Sequence, residues 1–524
     1  VSPRGGYQAL PGTSNPAGHG QVIPMGRKSR TRNTNEPRVV GARGEAQNHT
    51  HPQPSLGAPT AEASTNNAPT PNAEVTPTPT PRESLTKNKF CKGIKHGRKY
   101  ICSNETNDPE TINKATELLT EAINRMLKWR VWDTWWINKH REEWFIIRKN
   151  IEERLRGKYS DEVINGITRL IDDFIKYIDK FEKYWLRSAS NEIKTLINDL
   201  TSGKTEVIIW NNKRGISVHS NKITLNAEKT VPGGITVHSI LKGLKRTIIY
   251  VPNIFLMTID KNEYAKFVNE ILKGLHKGFD ETDGFTKDGK ACMTTTQTWQ
   301  AVIWALLYYG KISIRIDGID INENGITIKW ELKSNHNSLK GITPNSEELN
   351  ENTALATAFT AILGDGTARF FKTLRVYEIP EIRITMSSKK FKAWEPLLNK
   401  LWNMGFRWRR YPTECPTNCV YQIRFAGTNA VNLAKAIIAN LPPILKDIMD
   451  ALNPEKWDNL EKIAEKKMKF EMGEMQIDVA DIKFTLHVQN TTLRLIHYTN
   501  EEEINEVIKK LKSTYSDIEV KVNN

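Results

Sequence analysis

In the second half of the chain apolar and polar residues trade places every one or two positions, and the pattern predicts a series of short elements. RFFKTLRVYEI (Arg369–Ile379) and EIRITM (Glu381–Met386) alternate as half-buried strands on either side of Pro380. Ser387-Ser388 then caps a run with helical spacing, KKFKAWEPLLNKLWNMG, which stops at Gly405. FRWRRY and VYQIRF read as two further strands around a turn that carries Cys415 and Cys419, and TNAVNLAKAIIANL reads as a helix closed by Pro442-Pro443. Ahead of them, AFTAILGDG (Ala358–Gly366) runs through small and aliphatic positions into an acidic residue held between two glycines. The predicted order from Ala354 to Pro443 is helix, strand, strand, helix, strand, strand, helix.

Helical spacing governs Asp108 to Leu200, where Asp108-Pro109-Glu110 is a helix start. Trp129, Trp132 and Trp136 fall at i, i+3 and i+7 with Arg125, Lys128, Arg130 and Arg141 around them. Such a face is either the packed seam of a helical bundle or a surface that stacks on bases or grips another protein. SDEVINGITRLIDDFIKYIDKFEKYWL supplies partner helices for the seam. After Gly203 strands alternate with helices to Asn524. Lys311–Leu332 and Glu474–Tyr498 read as hairpins or meanders, with Asp317-Gly318 and Glu323-Asn324-Gly325 as turns, and EEEINEVIKKLKSTY reads as a dipole-matched helix. FCKGIKHGRKYIC (Phe90–Cys102) reads as a small hairpin, because no second ligand pair follows at zinc spacing. Residues 1–88, rich in Pro, Gly, Ala, Asn and Thr, read as a disordered tail. Arg27, Lys28, Arg30, Arg32, Arg38 and Arg43 within it make either a phosphate-binding arm or a solubilising stretch.

Charge narrows the partners. The 524 residues hold 75 Lys and Arg against 60 Asp and Glu, a net charge of +15. Such a surplus points to a polyanion, and to nucleic acid before an anionic membrane. No uncharged apolar run of roughly 18 residues is present, so no membrane span is expected. Five cysteines make no disulfide scaffold, and no apolar signal core opens the chain, so a cytoplasmic, intracellular protein is expected. The strands add direction. Arg383 lies opposite Ile382 and Ile384, Arg407 and Arg409 opposite Phe406 and Trp408, Gln422 and Arg424 opposite Ile423 and Phe425, and Arg375 opposite Leu374 and Val376. A sheet that is apolar behind and rich in arginine in front can sit on helices and grip DNA. Asp365 poses a separate problem, since a carboxylate at a helix carboxyl end is disfavoured unless a cation lies nearby.

AFTAILGDG and the order of elements after it resemble the LAGLIDADG homing endonucleases, especially archaeal forms ending in LGDG. The resemblance covers Ala354–Pro443 and implies an α+β fold of tandem αββαββα repeats. In that family two signature helices pack through small residues and bring two acids together beside a saddle that holds double-stranded DNA. Those acids bind Mg²⁺ for phosphodiester cleavage. Carried over, Ala358, Thr360, Ala361 and Gly364 are the small positions, Asp365 is the metal-binding acid, and Arg424 or the adjacent Gln422 is the basic or polar group near the scissile phosphate. Arg375, Arg383, Arg407, Arg409 and Arg424 become the DNA-binding set. The family belongs to mobile elements and includes binders that no longer cut.

Two such motifs are needed. Residues 235–310 resemble a degenerate first repeat, in which Val237–Val251 matches the signature segment, Ile254–Phe279 matches Ile382–Phe406, and Lys242 stands where an acid should be. Two readings stay open: a first copy that has lost its acid, or a homodimer paired through the 358–366 helix. The expected organisation is a tail (1–88), a Trp-rich helical domain (89–202), a degenerate repeat (203–345), an LGDG repeat (346–470) and a β-meander with a helix (471–524). The competing functional class is a mobile-element or viral scaffold whose tryptophan-rich helices bind a partner protein.

Overall fold

The computed structural model describes residues 82–516 and Val520, apart from 97–98, 211–213, 230–233, 343–348, 373–377, 413–419, 468–474, 490–491, 498 and 500–502. Nearly all of the expected tail, its basic stretch included, lies outside the described residues, as do Arg375, Cys415 and Cys419. The fold is α+β. A helical turn, α1 (Arg82–Leu85), precedes a hairpin of β1 (Lys89–His96) and β2 (Lys99–Glu105), and a disulfide joins Cys91 to Cys102 within it. The bridge is a local clip on the expected hairpin.

The Asp108 side chain accepts from the Thr111 amide (3.3 Å) and Pro109 fills the first turn of α2 (Pro109–Lys128). Then come α3 (Trp135–Leu155), α4 (Asp161–Tyr184) and α5 (Ser190–Thr201). The chain breaks between α2 and α3 at Arg130, whose φ of 45° is left-handed. Trp129 and Trp132 therefore sit in the connection and share no helix with Trp136, which corrects the single-face reading. Trp132 and Trp136 are buried, and Trp144 stacks on Phe174 at 4.4 Å. These rings form a packed seam, not an open stacking surface.

Five strands follow: β3 (Glu206–Trp210), β4 (Gly215–His219), β5 (Ile223–Lys229), β6 (Ile235–Leu241) and β7 (Thr247–Val251). A short α6 (Ile254–Thr258) leads to one helical run made of α7 (Lys261–Lys266), a π-helical stretch (Phe267–Leu272) and α8 (Lys273–Glu281). After it come β8 (Gly284–Lys287), β9 (Lys290–Thr295), α9 (Thr298–Leu307), β10 (Gly310–Asn322) and β11 (Gly325–Asn337). The same succession then returns as α10 (Glu351–Leu363), β12 (Gly366–Lys372), β13 (Glu378–Ser387), α11 (Ser388–Asn403), β14 (Arg409–Pro412), β15 (Val420–Ala426) and α12 (Thr428–Asn440). The two halves order their strands alike, β8-β9-β11-β10 and β12-β13-β15-β14. The first sheet continues beyond β10 through β6, β5, β4, β3 and β1 to β2, and β7 also pairs with β10.

Each sheet buries one face. Trp330 of β11 meets Trp144 (5.7 Å) and Phe174 (5.0 Å) edge-on, so α3 and α4 cover the back of the first sheet. Ile382, Ile384, Ile423 and Phe425 are buried behind the second. Between the halves α8 packs against α10. A Cβ on Gly274 would stand 2.6 Å from the Thr353 carbonyl, and one on Gly278 would stand 2.0 Å from Thr360 Oγ1. Ala354, Ala356, Ala358, Phe359, Ala361 and Ile362 of α10 show no exposure at all. The place that a second copy takes in the dimer expectation is filled by α8 of the same chain.

The first half is thus framed differently from the sequence reading. Val237–Leu241 and Thr247–Val251 are strands, Ile254–Thr258 is helical, and Lys242 follows the end of β6 with its ammonium donating to the Ser220 carbonyl. The helix within Ile254–Phe279, expected to correspond to α11, holds the place of α10, and α9 holds that of α11. Large residues at generic helical spacing drove the mismatch, whereas the contact itself is made by Gly274 and Gly278. Asp317-Gly318 is not a turn either. The β10–β11 register shifts there, and a Cβ on Gly318 would stand 2.0 Å from the Ser239 carbonyl, so glycine lets β10 lie close to β6.

Past α12 lie two helices not expected from the sequence, α13 (Pro443–Leu452) and α14 (Glu455–Glu465). Strands β16 (Met475–Val479), β17 (Ile482–Gln489) and β18 (Thr492–Ile496) and helix α15 (Ile504–Thr514) close the chain, with Ile482, Phe484 and Leu511 forming a small core of their own.

Candidate functional site

The helix pair α8 and α10 ends twice in Asp-Gly. Thr282 closes α8 by donating from Oγ1 to the Gly278 carbonyl (2.8 Å), and Asp283-Gly284 follows into β8. Gly364 closes α10, and Asp365-Gly366 follows into β12. The two ends meet, since a Cβ on Gly364 would stand 2.3 Å from Thr282 Oγ1 and 3.3 Å from Asp283 Oδ2. Burial pushes the Asp283 carboxyl above its usual range; the Gln300 amide pulls it back, and the Asp365 charge adds to the rise.

Gln300 and Lys390 are the third residues of α9 and α11, and each reaches the acid of its own half. Gln300 Nε2 donates to Asp283 Oδ2, with the amide oriented by the Thr295 hydroxyl that donates to its oxygen. Lys390 Nζ donates to Asp365 Oδ2 at 2.8 Å. One acid thus meets a neutral amide and the other an ammonium. A second ammonium comes from outside the two halves. Lys456 Nζ donates to the Leu363 carbonyl (2.8 Å) and to that of Gly364, the last carbonyls of α10. Burial draws the Lys456 ammonium below its usual range, while Asp283 and Asp365 hold it up. Lys390 and Lys456 are the cations that make a carboxylate tolerable at this helix end.

The path of the chain explains how Lys456 arrives. Asn453 ends α13 in the left-handed conformation (φ 42°), which asparagine tolerates, and Pro454 prevents the helix from continuing. Trp457 then anchors α14, buried edge-on against Phe359 at 5.9 Å with its Nε1 donating to Asp450 Oδ1 (2.8 Å). Asp450 also lies against Glu461 of α14. Burial and the Asp450 charge push the Glu461 carboxyl up to about 7. Between its ordinary value of 4.5 and about 7 the folded chain holds a proton there that the unfolded chain has released, so stability falls as pH rises through that window. Urea midpoints at pH 5 and pH 8 should show a wild-type loss on the order of 1 kcal/mol, kept small because Glu461 is half-exposed, and Glu461→Gln should remove that pH dependence. A cavity of about 600 Å³ opens beside the acids, lined by Thr294, Thr296, Gln300, Gly364, Asn453 and Lys456 among others.

The arginines of the second sheet are brought together. Arg383 pairs across the strands with Arg424, and Arg424 with Arg409, on the face away from Ile382 and Ile384. At their centre Glu381, fully buried, accepts from Arg369 Nε (3.1 Å), Arg383 Nη2 (2.7 Å) and Arg424 Nε. Gln422 shares this face beside Thr385 and Tyr411. Arg407 does not belong to it: β14 starts only at Arg409, and the Arg407 guanidinium lies over the Trp402 ring of α11 at 4.7 Å. The first sheet repeats the device, with buried Glu331 held by Arg246 and Arg315. Among the described residues, one guanidinium nitrogen beside each glutamate is buried without a partner, Arg383 Nε and Arg246 Nη1.

Sequence reading placed Asp365, Arg383, Arg409, Arg424 and Gln422 but missed Asp283, Gln300, Lys390, Lys456 and both glutamates. A signal for Asp283 was present: Gly274 and Gly278 precede Asp283-Gly284 at the spacing at which Ala356 and Thr360 precede Asp365-Gly366. No family model matches the chain, and no curated protein matches it.

Proposed function

We propose that this chain is a duplex-DNA-binding protein of the LAGLIDADG homing-endonuclease type, in which both repeats lie in one chain and Asp283 and Asp365 are the paired acids. One observation carries the reading. Two helices in glycine-tight contact end side by side in Asp-Gly, between two sheets of identical strand order. The paired sheets offer DNA two faces, on which exposed Arg409 and part-exposed Arg383, Arg424 and Arg315 are donors for a phosphate oxygen or a base edge. The scaffold alternative has less to stand on, because Trp132, Trp136, Trp144 and Trp185 are packed inside the bundle and Trp135 is the tryptophan of these helices that stays exposed.

The acids fit a Mg²⁺ ion by donor type: two carboxylates at one spot, with the rest of the shell left to phosphate oxygens and water. Bound there, the ion supplies Lewis-acid assistance to phosphodiester hydrolysis. Gln300 and Lys390 hold the two carboxylates in place, while Arg383, Arg409 and Arg424 grip the backbone and Gln422 faces the bases. The test is cleavage of a randomised duplex library by the full chain with Mg²⁺, beside Asp283→Ala and Asp365→Ala. Recurrent cuts that vanish in both variants are expected, with DNA affinity in the variants equal or higher. DNA retained without cuts makes the chain a binder that has lost cleavage. Separately, Arg383→Ala with Arg424→Ala should weaken DNA binding and flatten its salt dependence by about two phosphate contacts. An unchanged affinity and slope would sink the sheet-face assignment.

A further inference from the structure

The acid pair has a second counter-charge beside Lys390 in the folded chain, because the Lys456 ammonium bonds the carbonyl that precedes Asp365. We infer that Lys456 is a displaceable internal counter-cation, which a divalent cation must eject into the adjoining cavity in order to bind between Asp283 and Asp365. The inference rests on the proposed role of those two acids as metal ligands.

The geometry separates Lys456 from the other lysine. Lys390 belongs to the repeat itself, bonds a carboxylate oxygen directly, and is held from behind by the Trp394 ring 5.6 Å away, with a side chain only 18% exposed. Lys456 instead comes from α14, and its two hydrogen bonds go to carbonyls rather than carboxylates. Among the described residues the first half holds no counterpart to it. Its ammonium nonetheless bonds the Gly364 carbonyl one residue before Asp365, shares the cavity wall with Asp283, and feels the charges of both acids, which places it beside the position of a shared metal. The cavity of about 600 Å³ lies along its side chain. At roughly 30 Å³ per water that space takes about 20 waters, so the ejected ammonium stays hydrated. Lysine is suited to such a move, with a compact charge on a four-carbon stem that rotates freely.

Charge makes the exchange obligatory. Two carboxylates and the partial negative end of α10 are balanced by two ammoniums. A dication added while both ammoniums stayed would leave a surplus of about 1.5 positive charges at the spot, and the loss of one ammonium brings it near neutrality. Lys390 is pinned by the ring and Lys456 has an exit. Metal affinity is therefore set by how firmly Lys456 holds its carbonyls, and the resting acid pair stays quiet without metal.

The test is Mn²⁺ binding to the full chain without DNA, followed by the electron paramagnetic resonance of free Mn²⁺. Lys456→Met should bind at least tenfold tighter than wild type, Lys456→Arg no tighter, and adding Asp365→Asn to Lys456→Met should abolish the gain. In parallel, mild amine acylation of the wild-type chain, read by mass spectrometry, should rise at Lys456 when Mn²⁺ is added and stay constant at Lys390. This arm needs no variant to fold. Asp365-dependent binding that is equal or weaker in Lys456→Met, or acylation at Lys456 indifferent to metal, overturns displacement and leaves the acid-pair reading standing. Absence of Asp365-dependent Mn²⁺ binding in every variant overturns both.

Discussion

Gly278→Ala is expected to lower the stability of the chain by about 3 kcal/mol, although alanine is the better helix former by about 1 kcal/mol. The added Cβ would stand 2.0 Å from Thr360 Oγ1, 2.4 Å from the Thr357 carbonyl and 3.0 Å from the Ala361 amide. The hydroxyl can turn away, but the other two atoms are α10 backbone and cannot. Relief requires α8 and α10 to part, and parting also breaks the contact at Gly274 and the meeting of Thr282 with Gly364. Parting the helices also parts Asp283 from Asp365, so any activity that needs both acids should fall below detection while the chain is still folded. Gly289→Ala, where no atom lies within 4 Å, is the control for substitution as such, though its φ of +72° carries its own smaller penalty. Urea unfolding of the three chains decides the matter. A Gly278→Ala midpoint at or above wild type would mean that the helices are not in the tight contact on which the acid pair depends.

The second half was largely legible because its signals are local. The Ser387 cap and Gly405 bound a helix that the structure places close to where the sequence puts it, and the side-chain alternation of EIRITM and VYQIRF fixes which face takes the arginines, although Pro380 lies inside β13 rather than between two strands. The first half was not legible in the same way. Its helix α8 carries Lys273, Lys277 and Glu281 on one side, as a helix packed mainly through Gly274 and Gly278 allows, and it ends in Glu-Thr-Asp-Gly rather than in an aliphatic run. α10, by contrast, is buried on every side from Thr353 to Leu363, so that stretch reads as a run of small, aliphatic and threonine positions. Lys456 and Glu381 lay beyond reach for another reason. Their roles come from long-range contacts, α14 folding back on α10 and three arginines from three strands meeting one carboxylate, and no spacing in the sequence encodes them.

Glu381→Gln is expected to destabilise the chain by about 3–5 kcal/mol and yet to tighten its hold on DNA. Burial alone would raise the Glu381 carboxyl; the hydrogen bonds and charges of Arg424 and Arg383 outweigh it and hold the carboxyl below its usual value. A depressed carboxylate contributes stability that is present above the unfolded value of 4.5 and lost as pH falls through the lower folded value. Wild type and variant should therefore differ most at neutral pH and converge in acid. The magnitude follows from breaking a buried ionic cluster on one side, which leaves Arg369, Arg383 and Arg424 facing each other without their shared partner. The same loss frees their guanidiniums. A polyanion is the partner that compensates three crowded positive charges, so affinity for duplex DNA should rise and the salt slope should steepen by about one. Sequence preference should fall at the same time, since Glu381 is what aims Arg383 and Arg424. Glu331→Gln, with Arg246 and Arg315 around it, should lose stability by the same route on the first sheet. Denaturant midpoints from pH 3 to 8, read beside fluorescence anisotropy on duplex DNA across a salt series, measure both effects on one preparation. A variant that loses stability while its DNA affinity falls would mean that the cluster is only a structural tie and that the arginine face is not where DNA lies.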